Sequence, residues 1–206
     1  MQFTAVSVLA ALSFTSQVFA APSSAGFTPA KRDLISTIHD SIASVDACVS
    51  VDLSAISSTI EVDVSTDIVS SVVGNLVNVV NSLESAVSSI VPAVTGPVLA
   101  LTASEVSAVL VDLKLLTDIV GDITGTLSST VSGVLSTTEA LLSTEIKAVL
   151  DLVSPLVTPL VAYVRSVLAL LTGEDSLVAE VEEVLCTLES AVGSILTPVT
   201  GLLSIL

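Results

Sequence analysis

The chain has no tryptophan, one tyrosine, four phenylalanines, one histidine, one methionine and two cysteines in 206 residues. All four phenylalanines (Phe3, Phe14, Phe19 and Phe27) precede the dibasic pair Lys31-Arg32, and Tyr163 is the single aromatic ring of phenol or benzene type beyond it. Basic side chains are almost as scarce. Past Arg32 there are only Lys114, Lys147 and Arg165, against 21 acidic residues that all lie in the same segment. These shortages exclude much. A chain this negative, at −16 overall, repels phosphate backbones, so nucleic acid is not an expected partner. It also disfavours an anionic membrane surface. With so few rings there is little to stack a sugar or a base on. Neither a Cys/His zinc spacing nor a glycine-rich phosphate loop is present, so no metal site and no cofactor is expected.

Catalytic chemistry has little to work with. His39 stands on the polar side of the first helical stretch beside Asp40, and no Gly-x-Ser-x-Gly elbow accompanies it. It reads as a surface histidine. Two carboxylate clusters, Glu61/Asp63/Asp67 and Glu180/Glu182/Glu183, lack calcium-loop spacing and read as solvated helix faces. No catalytic residue is assigned, and the chain is expected not to be an enzyme.

What is present is aliphatic: 51% of residues are hydrophobic and the mean hydropathy is +0.97. Residues 1–20 read as a secretory signal, with an apolar run from Ala5 to Phe14 and a cleavage site at Val18-Phe19-Ala20. Residues 21–32 read as a propeptide or disordered linker, rich in proline, glycine and serine and ending at Lys31-Arg32, which resembles a dibasic processing site. The helical domain is then expected over 33–206, secreted or held in a cell wall. Beyond the dibasic pair, the longest uncharged stretch lies between Glu84 and Glu105. Pro92, Gly96 and Pro97 interrupt it, so no integral membrane span is expected. The oligomeric state is not legible.

Periodicity sets the fold class. Ile35, Ile38, Ile42, Val45 and Val49 recur at helical spacing, as do Val69, Val73, Leu76, Val80, Leu83, Val87 and Ile90. A third stripe runs Val106, Val109, Leu113, Leu116 and Val120, and a last one Leu177, Val181, Val184, Leu188, Ala191 and Ile195. Thr102 and Glu105 make a capping-box pattern before the third stripe. Thr158-Pro159 reads as a helix start, Pro92 and Pro198 as helix stops, and Gly173 as lying just past a helix end. The region 122–153 is interrupted by Gly125 and Gly133 and reads as one or two helices. The expectation is all-α: a single antiparallel bundle of about five to seven amphipathic helices. Cys48 and Cys186 lie on small-residue faces of the first and last helices, where a disulfide would close the bundle. The block Leu83–Ile90 is echoed at Leu188–Ile195, and a Val-Thr-Gly follows each at the same offset, which favours duplication.

An all-aliphatic core lacks large rings to fill it. It could enclose an acyl chain, with Val73, Leu76, Val80, Leu83, Val109, Leu113, Leu116, Val184 and Leu188 as the lining. The same stripes could instead lie on a hydrophobic surface, or simply pack together. The segment Ala108-Val109-Leu110-Val111-Asp112-Leu113-Lys114-Leu115-Leu116-Thr117-Asp118, with the signal, the propeptide and the Ser/Thr/Val/Ala-rich helices without tryptophan, resembles the fungal hydrophobic surface-binding protein A family, which includes cell-wall galactomannoproteins. The chain departs from that family in being poor in lysine and in carrying two cysteines. The resemblance implies a secreted, non-catalytic helical protein that binds a lipid or adsorbs to a hydrophobic surface. The other reading is a structural or host-facing wall protein with no small-molecule ligand.

Overall fold

The aliphatic stripes become five long helices in the computed structural model: α1 (Pro29–Ile60), α2 (Thr66–Val94), α3 (Ala103–Gly133), α4 (Ser136–Leu168) and α5 (Asp175–Leu203). The structure describes residues 29–60, 66–133 and 136–203. The signal segment with Ala20, most of the linker, and Glu61 and Asp63 lie outside the described residues.

Packing partners define a ring. α1 packs on α2 and α3, α2 also on α4, and α5 on both α3 and α4, while α3 and α4 meet at only a few positions. Going round, the order is α1, α2, α4, α5, α3. The polar contacts give the directions. Asp52 of α1 accepts a hydrogen bond from Asn78 of α2, while the N-terminal end of α1 and Ala93 of α2 line one groove, so these helices are antiparallel. Lys31 meets Glu105 and His39 meets Asp112, so α1 and α3 run parallel. Consecutive helices therefore alternate up and down, but several neighbours in the ring are parallel. The long connection at 95–102 allows this by carrying the chain past α2 to a helix that does not touch it.

Helix ends follow local chemistry. At the start of α3 the Thr102 N–H donates to Glu105 Oε2 at 2.6 Å, and the Glu105 N–H approaches Thr102 Oγ1 at 3.4 Å, which is the expected capping box. α4 ends before Gly173, whose φ of 84° is left-handed and suits glycine.

Other boundaries differ from expectation. α4 is one helix running through Pro155 and Pro159, so Thr158-Pro159 is not a helix start. Each proline leaves a carbonyl four residues earlier without its N–H partner. Those carbonyls belong to Asp151 and Pro155, both exposed, where water can satisfy them, while Leu156, Val157 and Leu160 on the other side are buried. α3 runs unbroken through Gly121 and Gly125 to Gly133, so Leu127 belongs to it. α2 continues two residues past Pro92, and α5 runs past Pro198. α1 starts at Pro29, a residue pre-set for a first helical turn. The last four residues of the expected linker are thus helical, and Lys31-Arg32 is part of α1.

The core is one continuous cluster drawn from all five helices. In α2 the buried line is Val69, Val72, Leu76, Val79, Leu83, Ala86 and Ile90, whereas Val73, Val80 and Val87 are only partly buried. Adjacent valine pairs (72/73 and 79/80) make either line apolar. Helices on both flanks of α2 select the one that faces inward.

Candidate functional site

Six of the residues expected to line an apolar cavity, Leu76, Leu83, Val109, Leu113, Leu116 and Leu188, are buried core side chains. They belong to one continuous core cluster. Leu76, Ile90, Leu113, Leu160, Leu185 and Leu188 each show 0% exposure, and a side chain beside a water-sized void would retain accessible area. Val73, Val80 and Val184 sit at the margins. The cavities described are grooves between helices at the surface. One of about 430 Å³ lies between α4 and α5 and is lined by Arg165, Leu168, Ala169, Val178, Glu182 and Cys186. Another, of about 320 Å³, lies between α3 and α5 and includes Lys114, Glu180 and Val184. Ligand entry among these fully enclosed side chains would need helices to separate.

The helix seams are where the scarce bases are placed. Glu105 and Asp112, one heptad apart on α3, are the buried carboxylates among the described residues. Each meets a base on α1. Lys31 Nζ lies 3.8 Å from Glu105 Oε2, and His39 Nδ1 lies 2.8 Å from Asp112 Oδ1. On the other side of the ring, Lys114 Nζ meets Glu180 Oε1 at 2.8 Å, tying α3 to α5. Arg165 makes a two-pronged contact with Glu189, both prongs 2.7 Å, tying α4 to α5. These last two pairs are exposed and act more to set the position of α5 than to hold it on. Tyr163 is buried, and its hydroxyl lies 3.4 Å from the Leu99 amide, pinning the 95–102 connection to α4.

His39 is therefore not simply a surface histidine beside Asp40. Its hydrogen bond to Asp112 raises its pKa, burial opposes this, and the charges of Asp112 and Asp40 add to the rise. A histidine whose pKa is higher in the folded state stabilises fully below its unfolded value of about 6.5, and that contribution fades as pH rises through the folded value. The stability difference between the native protein and His39→Ala should be largest on the acid side of pH 6.5 and shrink toward alkaline pH. Urea unfolding from pH 5 to 9 reads this directly.

The expected Cys48–Cys186 disulfide is not formed. Both thiols are free and exposed. Cys48 is on α1 and Cys186 on α5, helices that share no contact because α3 stands between them in the ring. A disulfide needs Cα atoms roughly 4.4–6.8 Å apart. On α5 the small residues Ala179, Ser190 and Gly193 are exposed, and on α1 Ser41 and Ser44 border a groove with α2 and not with α5. Two thiols per folded chain should react with a thiol reagent without denaturant, and the Cys48→Ser/Cys186→Ser double variant should keep the native unfolding midpoint. Loss of a native disulfide would instead cost about 2–5 kcal/mol.

The expectation of no membrane span also needs correction. Ala30–Thr59, Val69–Val94 and Leu142–Leu168 are each long and apolar enough to cross a bilayer by length and composition. Within helices the charges fall at intervals wide enough to leave such windows. Among the described residues no three His, Cys, Asp or Glu side chains gather as a metal-holding group. The segment 108–118 lies within α3 and contains both Asp112 and Lys114, so it bears one contact to α1 and one to α5. No family model matches the chain, and no curated protein and no solved structure matches it.

Proposed function

We propose that this is a secreted, non-catalytic protein that adsorbs to apolar surfaces and holds lipid there, using aliphatic helix surface rather than a preformed pocket. One observation carries the reading. The apolar windows of α1, α2 and α4 are only 28%, 28% and 50% buried within the bundle. A soluble helix needs one apolar stripe to join a core. Outside the buried stripes, Val51 on α1 and Val77 on α2 remain exposed and Val73, Val80, Val87 and Val91 on α2 partly exposed, and the net charge of −16 keeps the protein dispersed in water until it meets an interface. The fully enclosed leucines of the described core support surface contact over a ligand held among them.

The test is drop tensiometry and flotation with triolein emulsions. The protein should lower the oil–water tension and float with the droplets. If it leaves the tension unchanged and stays in the aqueous layer, the reading is wrong. Extraction of membranes from the producing cells with alkaline carbonate separates a peripheral from a spanning protein. Adsorption predicts release, and retention would mean that the apolar windows cross a bilayer.

A further inference from the structure

We infer that α2 is the helix that meets the surface, and that the surface it fits is neutral lipid, oil or zwitterionic headgroups, rather than anionic lipid. This rests on the adsorption reading and names its contact face. Three observations converge. The first is position. α2 touches α1 and α4 and neither α3 nor α5, so it occupies the side of the ring away from that pair.

The second is charge. α2 carries two charged residues in 29, Asp67 and Glu84, whereas α5 carries five acids and no base in the same length. α3 adds exposed Asp118 and Asp122 beside the exposed Glu182 and Glu183 of α5. The molecule thus has an acidic pole at α3/α5 and a less charged side at α2, where exposed Glu84 and the flanking Asp40 and Asp52 of α1 are the acids. Bringing an acidic pole to a low-dielectric surface costs desolvation, and bringing it to an anionic leaflet adds repulsion. Approach through α2 brings fewer acids to the surface and so reduces both.

The third is a second aliphatic line. Beside its buried stripe, α2 presents Val73, Val77, Val80, Val87 and Val91 at alternating helical spacing, interrupted only by Glu84. Val77 is 42% exposed, and the others are partly exposed. Among the described residues the rest of the outer face is Ser, Asn and Gly, with Pro92 and Ala93 at its end, and carries no charge beyond Glu84. A second copy of the chain is a poorer occupant, because two bodies of charge −16 repel each other.

The test places one dye on each pole of the full chain. Cys48→Ser leaves the native thiol Cys186 on α5 as a single attachment point. Cys48→Ser/Cys186→Ser/Asn81→Cys moves it to the exposed face of α2. Each labelled protein is mixed with triolein droplets coated with phosphatidylcholine, and quenching by aqueous iodide is measured before and after flotation. The label at position 81 should lose most of its quenching and shift its emission to the blue, while the label at 186 should stay fully quenched. Equal protection at both positions would mean that the whole bundle opens on the droplet, and would overturn the assignment of α2 while leaving adsorption intact. Flotation with neither label protected would overturn it as well. Absence of flotation would remove the adsorption reading and this inference with it. Protection at 81 without droplets, together with a dimer in sedimentation velocity, would assign α2 to self-association instead.

A charge-placement pair gives an independent check. Ser71→Glu/Ser85→Glu/Ser88→Glu on α2 should abolish flotation, and Ser176→Glu/Ala179→Glu/Ser190→Glu on α5 should leave it unchanged. Both are first shown to keep native helix content. Equal loss in the two would show that total charge, and not the face, governs adsorption.

Discussion

Leu185→Asp should release α5 and disrupt the whole bundle, with a loss of stability on the order of 4 kcal/mol or more. Leu185 has 0% exposure, at the centre of the face that α5 turns toward α3 and α4. A carboxylate there has no partner and must be dragged back to water or neutralised. The consequence reaches beyond α5 because α3 and α4 barely touch each other. With α5 gone, their facing residues, Thr117 of α3 and Leu168 of α4 among them, lose the element that covers the seam. The variant should bind an apolar dye such as anilinonaphthalene sulfonate far more strongly than the native chain. It should also be cut by a nonspecific protease within 169–174. A variant that unfolds at the native urea midpoint without dye binding would show that α5 is an appendage rather than the closing member of the ring.

The second large effect lies on α2 and tests its register. Leu76→Ala should cost about 2–5 kcal/mol, since the side chain is fully enclosed and its removal leaves a cavity that its neighbours only partly fill. Val77→Ala, one residue along, should stay within about 0.5 kcal/mol because Val77 is 42% exposed. Chemical denaturation of the two variants side by side separates the buried line from the outer one. Similar losses at both positions would mean that α2 is embedded on all sides, and would leave no free face for a surface.

Much of this architecture was legible before any coordinates. The stripes of α1, α3 and α5 name core residues such as Ile38, Leu113 and Leu188, because helical periodicity records which side is dry. The Thr102/Glu105 cap was legible for a related reason: its partners are three residues apart and need no tertiary information. What failed depends on which helices become neighbours. Cys48 and Cys186 each have small companions, but composition does not reveal that α3 separates their helices. His39 was weighed against Asp40, its neighbour in sequence, and not against Asp112, 73 positions away. In α2 the choice between Val72 and Val73, or Val79 and Val80, has no sequence signature, since both members of each pair are valine. The passage of α4 through Pro155 and Pro159 is also a tertiary outcome. The residues buried beside them hold a helix that local propensity would break.

The placement of the bases bears on how the folded chain withstands proteases. Enzymes that cleave after lysine or arginine find few targets in this chain, and two of those beyond the dibasic pair, Lys114 and Arg165, have their side chains engaged across helix boundaries. Such enzymes need an extended strand in their cleft. Each of these positions therefore offers a scissile bond only after a helix has unwound and its cross-helix contact has been given up. Digestion by trypsin-like secreted proteases is thereby coupled to opening of the bundle, and a folded chain in a protease-rich medium should outlast its own unfolded form by a wide margin.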